Sequence, residues 1–286
     1  MNTEKNAAGL TDPMQKFGLE YSIADFTPTI CSLWGLPCPQ QNQANAIQPV
    51  LQAAQRILGA GRKLTKTMLF CPDAIGDVLW KAYPEDFAPL HEIADVRVPV
   101  ASVMPSVTPV CFASIFSGAS PQVHGIQEYC KPVLTVNTIF DVFAAAGKKV
   151  AVIATNNCSI DKIFRDRPID YYSLSRNERA FETCKILLSS QLDYDLLLCY
   201  DGGYDSSLHK TGCRSEASLA AMRTSIRRFS ELASLLKQLW KKEDWLLTFT
   251  PDHGGHDLEN GKGSHGTDCF DDMVINHLYC FGASES

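Results

Sequence analysis

The chain has 286 residues, of which 45% are hydrophobic and 20% are charged, and its formal net charge is −6. This length suffices for a large core in one or two domains, and the negative charge argues against nucleic acid or an anionic membrane surface as the main partner. Because no apolar run approaches the roughly 18 residues of a membrane span and residues 1–16 lack the apolar core of a signal peptide, the sequence predicts a cytoplasmic protein.

Short apolar runs alternate with amphipathic stretches along the chain. We expect strands at 67–71, 96–100, 149–154, 195–200, 245–250 and 277–281. We expect helices at 48–58, 109–116, 138–146, 177–190 and 215–241, the last having the clearest apolar face. The alternation predicts an α/β fold, a three-layer sandwich in which helices flank a central, mostly parallel sheet. The sequence contains no convincing linker, so we expect residues 1–286 to form a single domain.

The chain has eleven cysteines and no CxxC pair. Cys71, Cys111, Cys199 and Cys280 lie in apolar runs, where a reduced thiol acts as a small hydrophobic side chain. A chain of this length does not need disulfides for stability. The pattern predicts free thiols in a reducing compartment.

Two polar residues follow the first predicted strands. Asp73 comes directly after strand 67–71, at the end of a parallel strand where ligands gather, but turn and cap residues are also often aspartates. Thr108 precedes Pro109, a pair typical of a helix start. Such a threonine is either an ordinary cap or a nucleophile toward phosphorus, because a helix N-terminus attracts phosphate and a bound metal helps the hydroxyl to ionise.

Asp205 and His209 follow strand 195–200 and lie four residues apart. On a helical turn this spacing places both side chains on one face, where they are able to share a metal ion. A single pair of this kind also occurs often by chance.

The clearest metal-binding pattern is Asp252-His253, which follows the predicted strand 245–250 and precedes two glycines. Carboxylate oxygens and imidazole nitrogens are ligands for zinc-like ions, and glycine lets the backbone turn tightly around a site. His256 and His265 follow in glycine-containing loops and are candidates for a further ligand.

The order of these residues resembles the alkaline phosphatase superfamily, and within it the type I phosphodiesterase/nucleotide pyrophosphatase branch. The resemblance covers about residues 67–281 and includes Ser117-Gly118, nine residues after Thr108. It implies an alkaline phosphatase-like fold and two divalent ions, zinc or alternatively manganese. By this resemblance one ion is held by Asp73, Thr108, Asp252 and His253, and the other by Asp205, His209 and His265.

The resemblance also implies a mechanism in which Thr108 is the nucleophile and forms a phosphothreonine intermediate. Two divalent ions are able to clamp the attacking and leaving oxygens of an in-line displacement. We therefore predict a hydrolase of small-molecule phosphate esters, acting on phosphodiester or pyrophosphate bonds. The alternatives are a phosphomonoesterase or phosphonate hydrolase on the same site, and a catalytically silent binding protein that keeps the fold.

The chain departs from the family pattern near the predicted nucleophile. Cys111 stands where the diesterase branch has an asparagine that donates to a phosphate oxygen, and a thiol is a weak donor. Ala74 stands where the family usually has glycine. The gaps between the ligand segments look too short for the large cap domain of the superfamily's mutases, which favours a hydrolase with an open site.

Three further residues have candidate roles beside the ligands. His256 competes with His265 as the last ligand, and we favour His265 because the family's final histidine lies further beyond the Asp-His pair. His256 is then a supporting or substrate-facing group. Lys210 and Lys262 flank ligand positions, and each is either a group that binds a substrate phosphate or an ordinary solvated lysine.

The N-terminal segment, residues 1–45, has an unexpected pattern. Asp25-x-x-Pro28-Thr29, followed by Gly35-Leu36, resembles a segment that lies near the C-terminus in many superfamily members. We predict that this part is permuted and packs near strand 277–281. The alternative is an unrelated helix start with Thr27 as the cap and Pro28 as the first helical residue.

Overall fold

The computed structural model describes residues 8–285, and its main feature is an eight-stranded sheet. In chain order the strands of this sheet are β1 (Tyr21–Ser22), β2 (Lys66–Pro72), β3 (Val96–Ala101), β4 (Val150–Thr155), β5 (Asp170–Leu174), β6 (Leu196–Asp201), β7 (Trp245–Phe249) and β10 (Val274–Gly282). Their spatial order is β1-β3-β10-β7-β2-β6-β4-β5. Only β10 runs antiparallel to its neighbours among these strands. Two short strands, β8 (His256–Asp257) and β9 (Gly263–Ser264), form a separate hairpin.

The helices of residues 8–285 lie between these strands. In chain order they are α1 (Ala8–Phe17), α2 (Phe26–Trp34), α3 (Gln48–Leu58), α4 (Asp77–Ala82), α5 (Pro84–Ile93), α6 (Thr108–Ser117), α7 (Pro121–His124), α8 (Ile139–Ala145), α9 (Ser159–Ile163), α10 (Asn177–Leu188), α11 (Gly203–Thr211), α12 (Glu216–Leu239) and α13 (Phe270–Met273).

Helices cover both faces of the sheet, which explains the continuous apolar runs of its central strands. All seven residues of β2 and all six of β6 are buried, as expected for strands with a hydrophobic core on each side. One core includes α2, α3, α6, α8 and α9, and the other includes α4, α5, α10, α11 and α12. Every residue of α6 is buried, so the helix that begins at Thr108 is fixed on all sides.

The structure confirms the predicted α/β fold with a mostly parallel central sheet. Each predicted strand and helix is present with ends shifted by at most a few residues. The elements that were not predicted from the sequence are β1, β5, the hairpin of β8 and β9, and helices α1, α4, α5, α7, α9 and α13. The helix start considered as the alternative, with Thr27 as the cap and Pro28 as the first helical residue, is wrong, because α2 begins at Phe26 with Asp25 as its N-cap. Thr27 instead donates its hydroxyl to the carbonyl oxygen of Ile115 at 2.7 Å.

The described part of the N-terminal segment, residues 8–45, packs near β10, the last strand of the sheet in chain order. Strand β1 pairs with β3, which is the neighbour of β10. The ring of Phe26 in α2 lies 5.8 Å from the ring of His277 and 6.3 Å from that of Tyr279, both in β10. This packing is what a permuted segment requires, and the permutation itself stays a prediction because it concerns chain order in relatives.

The cysteines all lie within the described residues, and all eleven are free thiols. Seven of them are buried, among them Cys71, Cys111, Cys199 and Cys280. In the part of the chain from 8 to 285, no helix combines the length and the apolar character that crossing a membrane requires.

Candidate metal centre

The candidate residues gather at one edge of the sheet, where three neighbouring parallel strands end. Strands β7, β2 and β6 are adjacent, and their carboxyl ends lead directly to Thr250, Asp73 and Gly202. Backbone bonds continue past the strand ends, from Asp73 N–H to Asp201 O at 3.0 Å and from Thr250 N–H to Phe70 O at 2.9 Å. The loops that follow therefore start from fixed positions.

The first group of candidate ligands consists of Asp73, Asp252 and His253, all fully buried. His253 Nε2 lies 3.4 Å from Asp73 Oδ1 and 3.4 Å from Asp252 Oδ2. The hydroxyl oxygen of Thr108 lies 3.4 Å from Asp73 Oδ2 and 3.4 Å from His253 Nε2. The predicted nucleophile is thus in the same cluster as the predicted ligands of one ion.

The second group consists of Asp205, His209 and His265. Asp205 Oδ1 lies 3.2 Å from Nε2 of His209 and 3.4 Å from Nε2 of His265. Asp205 and His209 are one turn apart on α11, as their spacing predicts, and His265 comes from the loop after β9. The two groups are in contact, because the rings of His253 and His265 stack with centroids 4.0 Å apart.

The three histidines of these groups are held in the same way. Each ring places Nδ1 against a backbone carbonyl oxygen: His253 against Gly254 at 2.8 Å, His209 against Gly263 at 3.3 Å, and His265 against Ser106 at 3.0 Å. A ring that donates from Nδ1 presents the lone pair of Nε2 to the centre, which is how ligating histidines are usually oriented.

Three carboxylate oxygens at the centre are buried without a hydrogen-bond donor among residues 8–285, namely Asp73 Oδ1, Asp205 Oδ1 and Asp252 Oδ2. Burying such oxygens unpaired is costly, and divalent cations are the usual partners that remove the cost. The residues therefore fit a metal site. Zinc suits this mixture of oxygen and nitrogen ligands, and manganese is also compatible with it.

Burial and neighbouring charges also shift the pKa values of the three carboxyl groups of the centre. Burial, together with the charge of Asp205, raises the pKa of Asp73 to about 7. Burial and the charge of Asp73 raise the pKa of Asp252 well above its usual value. Burial also opposes the charge of Asp205, but the adjacent imidazole rings of His209 and His265 outweigh it and lower its pKa. Carboxyl groups that resist ionisation beside one another accept a cation readily.

Thr108 is not a helix cap. Helix α6 begins at Thr108 with Val107 as its N-cap, and no side chain caps this helix end. The hydroxyl of Thr108 is directed to Asp73 and His253 instead. Helix α6 begins at Thr108, and the positive end of its dipole favours phosphate oxygens there, although Pro109 has no N–H and Val110 and Cys111 donate theirs to the carbonyl oxygen of Val107.

Four other predicted residues lie outside the two groups. Cys111 is fully buried, with Sγ 3.2 Å from the hydroxyl of Ser102, which donates to the carbonyl oxygen of Asp252 at 2.8 Å. This places Cys111 behind the loop of Asp252 and away from the open side of the centre. Lys210 and Lys262 are exposed, and neither lines the cavity beside Thr108.

His256 lies with Cys269 and Asp272 in a separate group. Its Nδ1 is 2.8 Å from Asp272 Oδ1, and Thr267 donates twice to Asp272 Oδ2 at 2.8 Å. Both carboxylate oxygens of Asp272 are therefore already satisfied. The contact fits the supporting role predicted for His256, because it ties β8 to the loop that carries His265.

Several residues of the site were not predicted from the sequence. Tyr200 donates its hydroxyl to Asp73 Oδ2 at 2.5 Å. A cavity of about 170 Å³ opens beside Thr108 and Asp205, and its other walls include Tyr129, Lys131 and Asn177. Tyr200 could have been recognised, because it lies near the carboxyl end of β6, where the site residues gather. Tyr129 and Lys131 lie in an irregular stretch whose path the sequence does not indicate.

The α/β sandwich, the two adjoining Asp/His groups and the threonine hydroxyl at the strand ends are what the resemblance to the alkaline phosphatase superfamily implies. The model of one family in it, type I phosphodiesterase/nucleotide pyrophosphatase, matches residues 73–279. The chain belongs to this family of phosphoric ester hydrolases, as the order of its site residues predicted. The comparison with curated protein sequences gives no significant match.

Solved structures with a similar fold have low sequence identity to the chain. Murine ectonucleotide pyrophosphatase/phosphodiesterase 5 matches with a TM-score of 0.53 and 17% identity over 68% of this chain and 58% of that one. Phosphonoacetate hydrolase from Sinorhizobium meliloti 1021, in complex with phosphonoformate, matches with a TM-score of 0.51 and 20% identity over 72% and 62%.

A third similar structure is the C-terminal periplasmic domain of EcEptC from Escherichia coli in complex with Zn. It matches with a TM-score of 0.51 and 13% identity over 78% of this chain and 74% of that one. These likenesses show the fold. The chain spans 58% of the length of the murine protein.

Proposed function

We propose that the chain is a two-metal hydrolase that cleaves phosphodiester or pyrophosphate bonds of small molecules with Thr108 as the nucleophile. The observation that carries the proposal is the position of the Thr108 hydroxyl, 3.4 Å from both Asp73 and His253. These two residues belong to a cluster whose buried carboxylate oxygens fit a divalent cation. Membership of the family supports the reaction class.

Two ions would be held by the two groups of ligands. Asp73, Thr108, Asp252 and His253 would hold one, and Asp205, His209 and His265 would hold the other. When bound, such ions lower the pKa of a ligated hydroxyl and stabilise the oxygens of an in-line displacement. We favour zinc, with manganese as the alternative.

The chain's own residues position the reaction. Asp73 and His253 hold the hydroxyl of Thr108, whose oxygen attacks phosphorus. The bond to Thr108 forms as the bond from phosphorus to the leaving alcohol or phosphate oxygen breaks, which gives a phosphothreonine and releases the first product. The positive end of the α6 dipole, at Thr108, is placed to stabilise phosphate oxygens as their negative charge grows. Water then releases the phosphoryl group from Thr108. A catalytically silent protein would not be expected to retain every ligand of both groups, and all seven are present here.

The test is a panel of 4-nitrophenyl phosphate mono- and diesters, assayed with zinc and with manganese. We expect Thr108→Ala to lose at least about a thousandfold in kcat, because the covalent route needs the hydroxyl. Thr65→Ala is the matched control, since Thr65 is exposed and precedes the amino end of β2, away from the site. Hydrolysis by Thr108→Ala at the parent rate would refute the assignment, and the preferred ester distinguishes diesterase from monoesterase activity.

A further inference from the structure

The cavity beside Thr108 has two chemically different sides. Asp73 and Asp205, two of the three carboxylates of the candidate metal centre, form part of its lining. The remaining wall includes Lys131 and Asn177, together with serine and threonine hydroxyl groups. When the phosphoryl group of a substrate lies next to Thr108, the hydrogen-bond donors of this wall would therefore face the rest of the substrate.

Lys131 is a half-buried cation whose partners are not anions. Its Nζ donates to the carbonyl oxygen of Asn157 at 3.0 Å and lies 5.3 Å from the ring centroid of Tyr129. Within residues 8–285, Lys131 forms no ion pair with a carboxylate. Most surface lysines are simply solvated, but this ammonium group is held at the wall of a cavity that contains the nucleophile. Its position favours an anionic ligand.

Asn177 contributes a second donor to the same wall. It begins α10, and its Oδ1 accepts the N–H of Gly202 at 3.2 Å. That bond uses the oxygen of the amide and leaves the Nδ2 hydrogens for another partner. Cys111, which replaces an amide donor of the diesterase branch, is turned away from the cavity, so Asn177 and Lys131 supply donors that Cys111 does not.

We propose that Lys131 recognises a second anionic group of the substrate, separate from the phosphoryl group that Thr108 attacks, and that Asn177 donates to the same part of the molecule. This inference rests on the proposed function. The substrate is then a phosphoric ester with a further carboxylate or phosphate-type group close to the scissile bond. Lys131 selects it because a charge-assisted hydrogen bond forms only with esters that have the extra group.

Three synthetic esters with the same leaving group test the proposal. Methyl, carboxymethyl and phosphonomethyl 4-nitrophenyl phosphates differ in the presence and kind of the second anion, and all release 4-nitrophenolate. In metal-loaded parent protein we expect higher kcat/KM for the two charged esters than for the methyl ester. Lys131→Gln should lower the ratio of kcat/KM for a charged ester to kcat/KM for the methyl ester by about tenfold, and Lys131→Arg should retain part of this ratio. In the parent protein, the charged ester that gives the larger ratio identifies the kind of anion.

Lys242→Gln is the matched control, because Lys242 is exposed and precedes β7 at the edge of the sheet away from the site. We expect it to keep the parent ratio. An unchanged ratio in Lys131→Gln would overturn the proposal. An equal loss with all three esters would also overturn it, because Lys131 would then act on the scissile phosphoryl group.

A binding measurement separates this inference from the proposed function, since it needs no turnover. Phosphonoacetate and methylphosphonate differ by one carboxylate, and calorimetry on the metal-loaded protein gives the Kd of each. We expect phosphonoacetate to bind the parent at least about tenfold more tightly and Lys131→Gln to lose that preference. Equal Kd values in the parent would contradict the role of Lys131, even if the esters were hydrolysed. Absence of hydrolysis with the preference intact would count against the proposed function alone.

Discussion

Asp73 connects the metal centre, the nucleophile and the sheet. Its carboxylate lies 3.4 Å from His253 and 3.4 Å from Thr108, and it accepts a hydrogen bond from Tyr200. Burial and the charge of Asp73 raise the pKa of Tyr200 well above its usual value, so the phenol keeps its proton and remains a donor. Tyr200 is therefore a positioning residue that orients Asp73 toward the centre.

Removing the hydroxyl of Tyr200 should weaken metal binding without disturbing the fold. We expect Tyr200→Phe to lower the affinity for zinc by about 10- to 100-fold, the usual effect of losing a group that orients a ligand. A competition titration with a chromogenic chelator measures it. Tyr194→Phe is the control, because Tyr194 bonds with Tyr172 and Asp170 outside the metal groups. Parent affinity in Tyr200→Phe would show that Asp73 does not depend on this bond.

Metal affinity should also depend on pH in a defined direction. Burial and the charge of Asp205 raise the pKa of Asp73 to about 7, and the adjacent carboxylate of Asp205 raises the pKa of His209. Protons on these groups must leave before a metal binds, so affinity should rise as pH increases through about 7 and level off above about 8. The same titration at several pH values tests this, together with the protons released on binding. Affinity that falls with rising pH over this range would contradict the ligand assignment.

The loop after β7 depends on a close approach between backbone segments. Gly254 donates its N–H to the carbonyl oxygen of Asp272 at 2.8 Å, and a Cβ at Gly254 would lie 1.9 Å from the carbonyl oxygen of Asp271. Gly254→Ala should therefore move the loop that positions His253. We expect a loss of about 1–3 kcal/mol in the free energy of unfolding and weaker zinc binding, measured by denaturant titration and metal analysis.

Ala74→Gly provides the opposite change in the loop after β2. Ala74 has a φ of 65°, in the left-handed region that favours glycine. We expect this variant to keep the parent stability or gain up to about 1 kcal/mol.

Parent-like zinc binding in Gly254→Ala would show that the tight contact with Asp271 does not position His253.

A helix or strand was predictable from the sequence when the pattern of its own apolar residues indicates which of its faces are buried. Strand β2 and helix α12 were recognisable because an apolar run and an amphipathic face identify them directly. Strands β1 and β5 were missed since they lie at the two ends of the sheet order and are only partly buried, so hydrogen bonds to neighbours define them.

The same distinction applies to the site. Asp73, Asp205, Asp252 and His253 were found because they follow recognisable strands, whose carboxyl ends meet at one edge of a parallel sheet. Lys131 was not found, because it lies in an irregular stretch between α7 and α8 and reaches the cavity only through tertiary packing. The ligands were therefore visible in the sequence, and the wall that contacts the substrate was not.

At the scale of the molecule, the N-terminal segment is part of the main core. Phe26 is fully buried and packs against Phe116 of α6 as well as His277 and Tyr279 of β10. We expect Phe26→Ala to lower the free energy of unfolding by about 3–5 kcal/mol, in a single transition followed by denaturant titration. Leu258→Ala, at an exposed position, should change it by less than about 0.5 kcal/mol. Unchanged stability in Phe26→Ala would contradict a single cooperative core.

Some conclusions about the whole chain stay predictions. The cytoplasmic location, the single domain without a large cap and the permuted N-terminal segment rest on the sequence pattern. The chain spans 58% of the murine phosphodiesterase structure. Phosphodiesterase activity of this chain is therefore a proposal. The fold and the family do not depend on these points.

The central claim is that two groups of Asp and His residues hold two divalent ions beside Thr108, and metal analysis of the dialysed protein by mass spectrometry tests it most directly. We predict two ions per chain in the parent. Asp252→Asn and Asp205→Asn should each retain about one, because each removes a ligand from a different group. Fewer than one ion per chain in the parent, with no further loss in Asp252→Asn, would contradict the account.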